Sequence, residues 1–152
     1  MSLNVWRHYI DEWSPIGHPH PSTMPTNIIA ALNTALGLVL REGLSKRFRR
    51  HQHVARKLEE SLESIGLNIF PMKEYASNTV TAVNTDPKVN SHLRRRLLDD
   101  YRILIADGLG SLSGKIIRIG HMGTSATQSA TNLTLCGIRE ILESIPHSNT
   151  HK

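Results

Sequence analysis

One cysteine, Cys136, is the whole thiol content of the 152 residues. No internal disulfide is therefore available, and a reducing compartment is expected. The amino terminus has no basic, apolar and small-residue signal pattern, which also predicts a cytoplasmic protein. No uncharged apolar run is longer than Ile28 to Leu40, too short to span a bilayer, so no membrane partner is expected. Internal repeats are absent. Acidic side chains are the minority, 13 against 18 basic, for a formal charge of +5. With 39% hydrophobic residues, the chain is too apolar and too modestly charged to be disordered. Its length suits one domain with an ordinary core. The pI near 9.7 raises nucleic acid as a partner. The excess charge, however, sits in Lys46-Arg47-Phe48-Arg49-Arg50 and in Arg94-Arg95-Arg96, both within helical apolar patterns. Such runs read as the solvated face of amphipathic helices, and no nucleic acid is expected.

Residues 1–25 hold four prolines (Pro15, Pro19, Pro21, Pro25) and three histidines (His8, His18, His20), and read as an irregular lead-in. Within it Trp6, Tyr9, Ile10 and Trp13 recur at steps of three or four, a short helix or a covering patch. A domain over 26–145 follows. Ile28, Leu32, Ala35 and Val39 share one helical face, Gly43 interrupts, and Leu44, Phe48, His51, Ala55, Leu58, Leu62 and Ile65 continue to Gly66, a natural C-cap. This predicts two helices, or one kinked near Gly43. Leu67–Phe70, Thr79–Val83, Ile103–Ala106 and Lys115–Ile119 are short and β-favouring. Asp86-Pro87 opens a helix that buries Val89, Leu93, Leu97 and Tyr101. Ser125-x-x-Gln128 reads as the capping box of a last helix with Ala130, Thr134, Gly137, Ile141 and Ile145 inward. The tail, 146–152, is polar and expected to be disordered. The strands lie too close in sequence for parallel crossovers. The fold class is therefore α+β, a small mixed or antiparallel sheet of about four strands with helices packed on it.

Several motifs have bland explanations. Gly110-Ser-Leu-Ser-Gly114-Lys115 has three residues between its glycines and Ile116 after the lysine, so it is not a phosphate loop. His18-Pro-His20 and His51-Gln-His53 lack acidic or cysteine partners at ligand spacing, and no metal is expected. His51 suits the hydrogen-bonded rim of a core. Cys136 reads as a buried, inert thiol. Arg118 resists this treatment. It interrupts an apolar strand, so it either emerges on a solvated face or is held toward a cleft, where its planar fork suits a carboxylate.

Gly114-Lys115-Ile116-Ile117-Arg118-Ile119-Gly120-His121-Met122-Gly123 resembles the Gly-Lys-x-x-Arg-Ile-Gly-x-x-Gly stretch of class V pyridoxal-phosphate-dependent aminotransferases, in the alanine–glyoxylate and serine–pyruvate branch. Arg49-Arg50-His51, the helix to Ile65-Gly66-Leu67, Asn78 to Val83, Tyr101-Arg102-Ile103 and Gly108-Leu109-Gly110 follow that family's order. The resemblance spans roughly residues 20–145 and implies the carboxy-terminal small domain of such an enzyme.

In that family the large domain supplies the Schiff-base lysine, the aspartate on the pyridine nitrogen and the stacking aromatic ring. None has a counterpart among the chain's residues, and its six lysines (46, 57, 73, 88, 115 and 152) lack the family's context. The resemblance thus implies a chain that does not transaminate alone and contributes no catalytic residue. It implies that Arg118 binds the substrate α-carboxylate and that Thr23 reaches the cofactor phosphate of a second subunit. His20 stands where the family has a phosphate-binding tyrosine, and can donate one hydrogen bond. The implied partners are a large catalytic domain and a second subunit in a homodimer. The implied substrates are a small amino acid of alanine or serine type and a 2-oxo acid of glyoxylate or pyruvate type. Pyridoxal phosphate is the implied cofactor of the complete enzyme. Exposed apolar surface is expected around Trp6, Trp13, Ile28, Ile29 and Leu36, where the missing partners would pack. A non-catalytic binding module, or a truncated remnant of the fold, is the alternative.

Overall fold

A computed structural model describes residues 2–17 and 23–145. The chain divides into two compact units, residues 1–44 and 45–152.

The first unit is helical. Ser2 caps α1 (Leu3–His8) by accepting the Asn4 N–H, a π-helical turn follows over Tyr9–Trp13, and a 3₁₀ turn over Ser14–Ile16 ends at Gly17. Tyr9 is buried, with Trp6 edge-on against its ring at 6.1 Å between centroids. The tryptophan spacing thus marks real helix within the proline-rich lead-in. α2 (Thr26–Glu42) ends at Gly43, which departs from helical geometry with φ +81°, so the apolar pattern belongs to two helices. No residue of α2 is buried. Ile28, Ile29, Leu32, Leu36 and Leu40 are all exposed, as are Trp6 and Trp13, matching the expected uncovered apolar surface. No single helix among the described residues is long and apolar enough to cross a membrane.

The second unit is the α+β sandwich. α3 (Leu44–Ser64) buries His51, Val54, Ala55, Leu58 and Leu62. It stops at Gly66, whose left-handed φ of +83° lets the Leu67 N–H reach back to the Leu62 carbonyl. Next come β1 (Val80–Asn84), α4 (Pro87–Tyr101), β2 (Ala106–Asp107), β3 (Ile116–Gly120) and α5 (Gln128–Ser144). The sheet is antiparallel in the order β1-β3-β2. Among the described residues it has three strands. Of the expected strand Leu67–Phe70 only a bridge between Ile69 and Val83 forms, and of Ile103–Ala106 only Ala106 is in a strand, as the first residue of β2.

Local chemistry sets the helix ends. Asp86 caps α4 through the Lys88 N–H at 2.9 Å with Pro87 in the first turn, as Asp-Pro predicts. α5 is capped by Thr127, which accepts the Ala130 N–H at 3.2 Å. Ser125, the cap suggested by its spacing to Gln128, sits one turn earlier in a 3₁₀ turn and donates to the Met122 carbonyl. Leu58, Leu62, Leu93, Leu97, Ile138 and Ile141 from the three helices close over Val83, Ile117 and Ile119 of the sheet. Gly137 permits the close approach of α5 to α4, since a Cβ there would stand 2.9 Å from Leu97 Cδ2.

Candidate functional site

The strand pleat decides which face Arg118 occupies. Side chains directly opposite one another in an antiparallel pair share a face. Ile117 pairs with Val83 and Ile119 with Thr81, all buried beneath the helices. Arg118 therefore projects from the other face, where it is half-buried. Its opposite neighbours are Ala82 on β1 and Ala106 on β2, so small side chains flank the guanidinium on both sides. Arg118 Nε donates to the Asp107 carbonyl at 2.8 Å. Among the described residues, neither Nη atom makes a hydrogen bond and no acid pairs with it. Arg118 lines neither the groove under α3 at Glu59, Glu63 and Lys73 nor that at Arg47, His51 and Gly123. The register thus places Arg118 on the side of the sheet opposite the helical core.

The loop beside it is organised by an acid that motif reading passed over. Asp107 Oδ1 accepts the N–H of Gly108 at 2.8 Å and of Gly114 at 2.9 Å, and Oδ2 accepts from Ser113 Oγ at 3.1 Å and Arg94 Nη2 at 3.4 Å. The Gly114 amide bond is the largest influence holding this carboxyl below its ordinary value. An internal carboxylate thus ties the start of the loop, at Gly108, to its end, at Gly114.

The turn after β3 is pinned from α3. Arg50 Nη1 donates to the carbonyls of Gly123 at 3.1 Å and Ala126 at 2.7 Å. His51 Nδ1 meets the Arg47 carbonyl at 2.8 Å, so Nδ1 carries the proton, and Nε2 accepts the Gly123 N–H at 3.1 Å. His51 is thus the bonded rim histidine its position suggested. His121 is buried, with Nε2 2.8 Å from Thr81 Oγ1 and Nδ1 without a partner among the described residues. Burial holds its pKa below the ordinary 6.5. A depressed histidine stabilises the fold fully above 6.5 and loses that contribution as pH falls below it. We expect thermal stability to drop on acidification from about pH 7 to 5, and His121→Gln to flatten that slope. An unchanged slope in the variant would place the acid sensitivity elsewhere.

One other sequence expectation resolves differently. Cys136 is exposed, not buried, because it lies on the outer side of α5, where its thiol donates to Glu140 Oε1 at 3.2 Å. That bond and the charge behind it raise the thiol's pKa, which keeps it protonated and unreactive. Thr23 is exposed, ahead of α2 in the first unit, whereas Arg118 belongs to the second. His20 lies outside the described residues.

Comparison with known proteins gives this arrangement its context. No family model matches the chain. An uncharacterised aminotransferase of Methanocaldococcus jannaschii is 36% identical over 146 residues, which is 95% of this chain and 34% of that protein. The serine–glyoxylate aminotransferase of Arabidopsis thaliana is 31% identical, matching 92% of this chain and 35% of its own length. The crystal structure of an alanine–glyoxylate aminotransferase from Nostoc sp. superimposes with a TM-score of 0.80 at 32% identity, covering 93% of this chain and 37% of that one. The chain belongs to the class V aminotransferases. It spans about a third of the length of the curated relatives it matches, as their carboxy-terminal domain.

Class V aminotransferases are pyridoxal-phosphate enzymes in general. A lysine that anchors such a cofactor must be desolvated to act as a nucleophile. The five lysines among the described residues, Lys46, Lys57, Lys73, Lys88 and Lys115, are all exposed. They do not fit the anchoring role. What the second unit does offer is the Arg118 guanidinium, with Nε bonded to the Asp107 carbonyl and alanines opposite on both flanking strands.

Proposed function

We propose that this chain is the substrate-carboxylate-binding domain of an aminotransferase that moves an amino group between a small amino acid, of alanine or serine type, and a 2-oxo acid, of glyoxylate or pyruvate type. The single observation that carries the reading is the open fork of Arg118, with Nε engaged, both Nη atoms free and alanines opposite on each flanking strand. Related proteins named for serine–glyoxylate and alanine–glyoxylate transfer support the substrate class. Amino donor and oxo acceptor share a carboxylate next to the reacting carbon, so one arginine serves both. A planar fork fixes the orientation of that carboxylate with two parallel hydrogen bonds, where lysine would act as a point charge. Orientation matters because the bond to be broken must stand in one direction relative to the group that accepts its electrons.

In this reading the lysine that anchors pyridoxal phosphate comes from the rest of the enzyme, and the chain is inactive alone. The cofactor, when bound there, supplies the electron sink. Thr23 and His20 are the residues this reading assigns to its phosphate in a homodimer, and the exposed apolar face of α2 packs against the large domain or the second subunit.

Kinetics of Arg118→Lys in the complete enzyme test the reading. We expect kcat/KM for amino and oxo acid alike to fall by the equivalent of about 2–3 kcal/mol, with cofactor affinity nearly unchanged. Unchanged kinetics, or an equal loss of cofactor affinity, would overturn it.

A further inference from the structure

We propose that Asp107 is a positioning residue for Arg118, acting through its backbone carbonyl, and that Arg118 consequently grips a carboxylate end-on, through its two Nη atoms. The proposal rests on the reading of Arg118 given above.

A guanidinium offers a carboxylate two bidentate edges, one formed by Nε with an Nη and one by the two Nη atoms. The Asp107 carbonyl holds Nε at 2.8 Å. That takes the first edge and leaves the second. The same bond replaces the freedom of a long side chain with one orientation, so less entropy is lost when a ligand arrives.

Asp107 is also an acid beside a cation, and its carboxylate could have captured the fork outright. The pleat prevents this. Ala106 stands opposite Arg118, whereas Asp107 stands opposite Ile117, whose side chain enters the core. The Asp107 carboxylate therefore leaves the sheet on the helix side, where Arg94 of α4, Ser113 and the amides of Gly108 and Gly114 hold it. Those bonds fix the backbone of Asp107, and with it the carbonyl that Arg118 leans on. An acid at this position serves Arg118 only through its main chain.

The test uses isotope-labelled chain titrated with pyruvate, following the Nε–H signal of Arg118 by NMR and assigning it by its loss in Arg118→Lys. We expect this proton to exchange more slowly than that of exposed Arg95 and to stay protected at pyruvate saturation, since the ligand uses the other edge. Asp107→Ala should speed its exchange and weaken pyruvate binding, each about tenfold, while Asp107→Asn, which still accepts both amides, should lose about threefold. Should Asp107→Ala fail to fold by circular dichroism, Ser113→Ala carries the test, with an expected loss of about twofold. Unchanged protection and affinity in these variants would overturn the positioning role. Strong deshielding and loss of protection of Nε–H on adding pyruvate would overturn the end-on grip. Full pyruvate binding by Arg118→Lys would instead remove the reading on which the proposal rests.

Discussion

Gly108→Ala is expected to destabilise the second unit by about 3 kcal/mol and to release the loop beside Arg118. A Cβ at this position would stand 2.0 Å from the Leu112 carbonyl oxygen, 2.5 Å from its carbon and 3.0 Å from Ile116 Cγ1. Two of those three atoms are backbone, so no rotamer change relieves the overlap. The obstacle is space and not dihedral angle, since Gly108 has no positive φ. The loop would have to open, breaking the Gly108 N–H bond to Ile116 at 3.0 Å and the amide bonds to Asp107. Gly110→Ala is the control. Its φ is +54° with nothing within 4 Å of the added carbon, so it should lose only about 1 kcal/mol of backbone strain. Urea denaturation of both variants decides the matter. Equal losses would mean that the close approach at Gly108 is relaxed in solution.

The contrast between these glycines shows what residue patterns carry and what they leave out. Gly66 and Asp86-Pro87 are legible because capping is local chemistry, settled within a few residues. The helical faces are legible for the same reason: Leu58, Leu62, Leu93 and Leu97 recur at steps of four and all enter the core. Strand lengths are less so. Leu67–Phe70 favours extended backbone, yet it lies outside β1 at the sheet edge, where one bridge from Ile69 is all the pairing it finds. Gly108 reads as one more loop glycine, and its necessity comes from Leu112 folding back over it. Asp107 was invisible as a site residue because nothing in its neighbours says that four donors converge on it. Cys136 misled because apolar neighbours in sequence are not neighbours on one helix face. Its own side of α5 carries Glu140. Arg118 stands out in the sequence as a charge within an apolar strand, but only the register with Ala82, Ala106 and the core pairs says which way it points.

Adjacent positions on β3 should accordingly respond in opposite ways, and this is the largest effect expected in the molecule. Ile117→Lys should lower stability by more than about 4 kcal/mol, enough to unfold a domain of ordinary stability. Ile117 is fully buried among Val83, Leu93 and Ile138, with no acid within that cluster to receive an ammonium group. Arg118→Leu, one residue along, should change stability by less than about 1 kcal/mol. Its guanidinium gives up a single hydrogen bond, to a carbonyl at the half-exposed edge strand, and the leucine fits beside Ala82 and Ala106 without meeting the core. A small loss at Arg118 beside a large one at Ile117 is what the proposed carboxylate-binding role requires, because a side chain kept for a ligand contributes little to the fold. Circular dichroism and urea melts of the two variants measure the difference directly. A loss above about 2 kcal/mol for Arg118→Leu would instead mark the arginine as a buried structural charge. Because successive side chains on a strand alternate faces, a one-residue slip in the register of β3 would exchange the two outcomes.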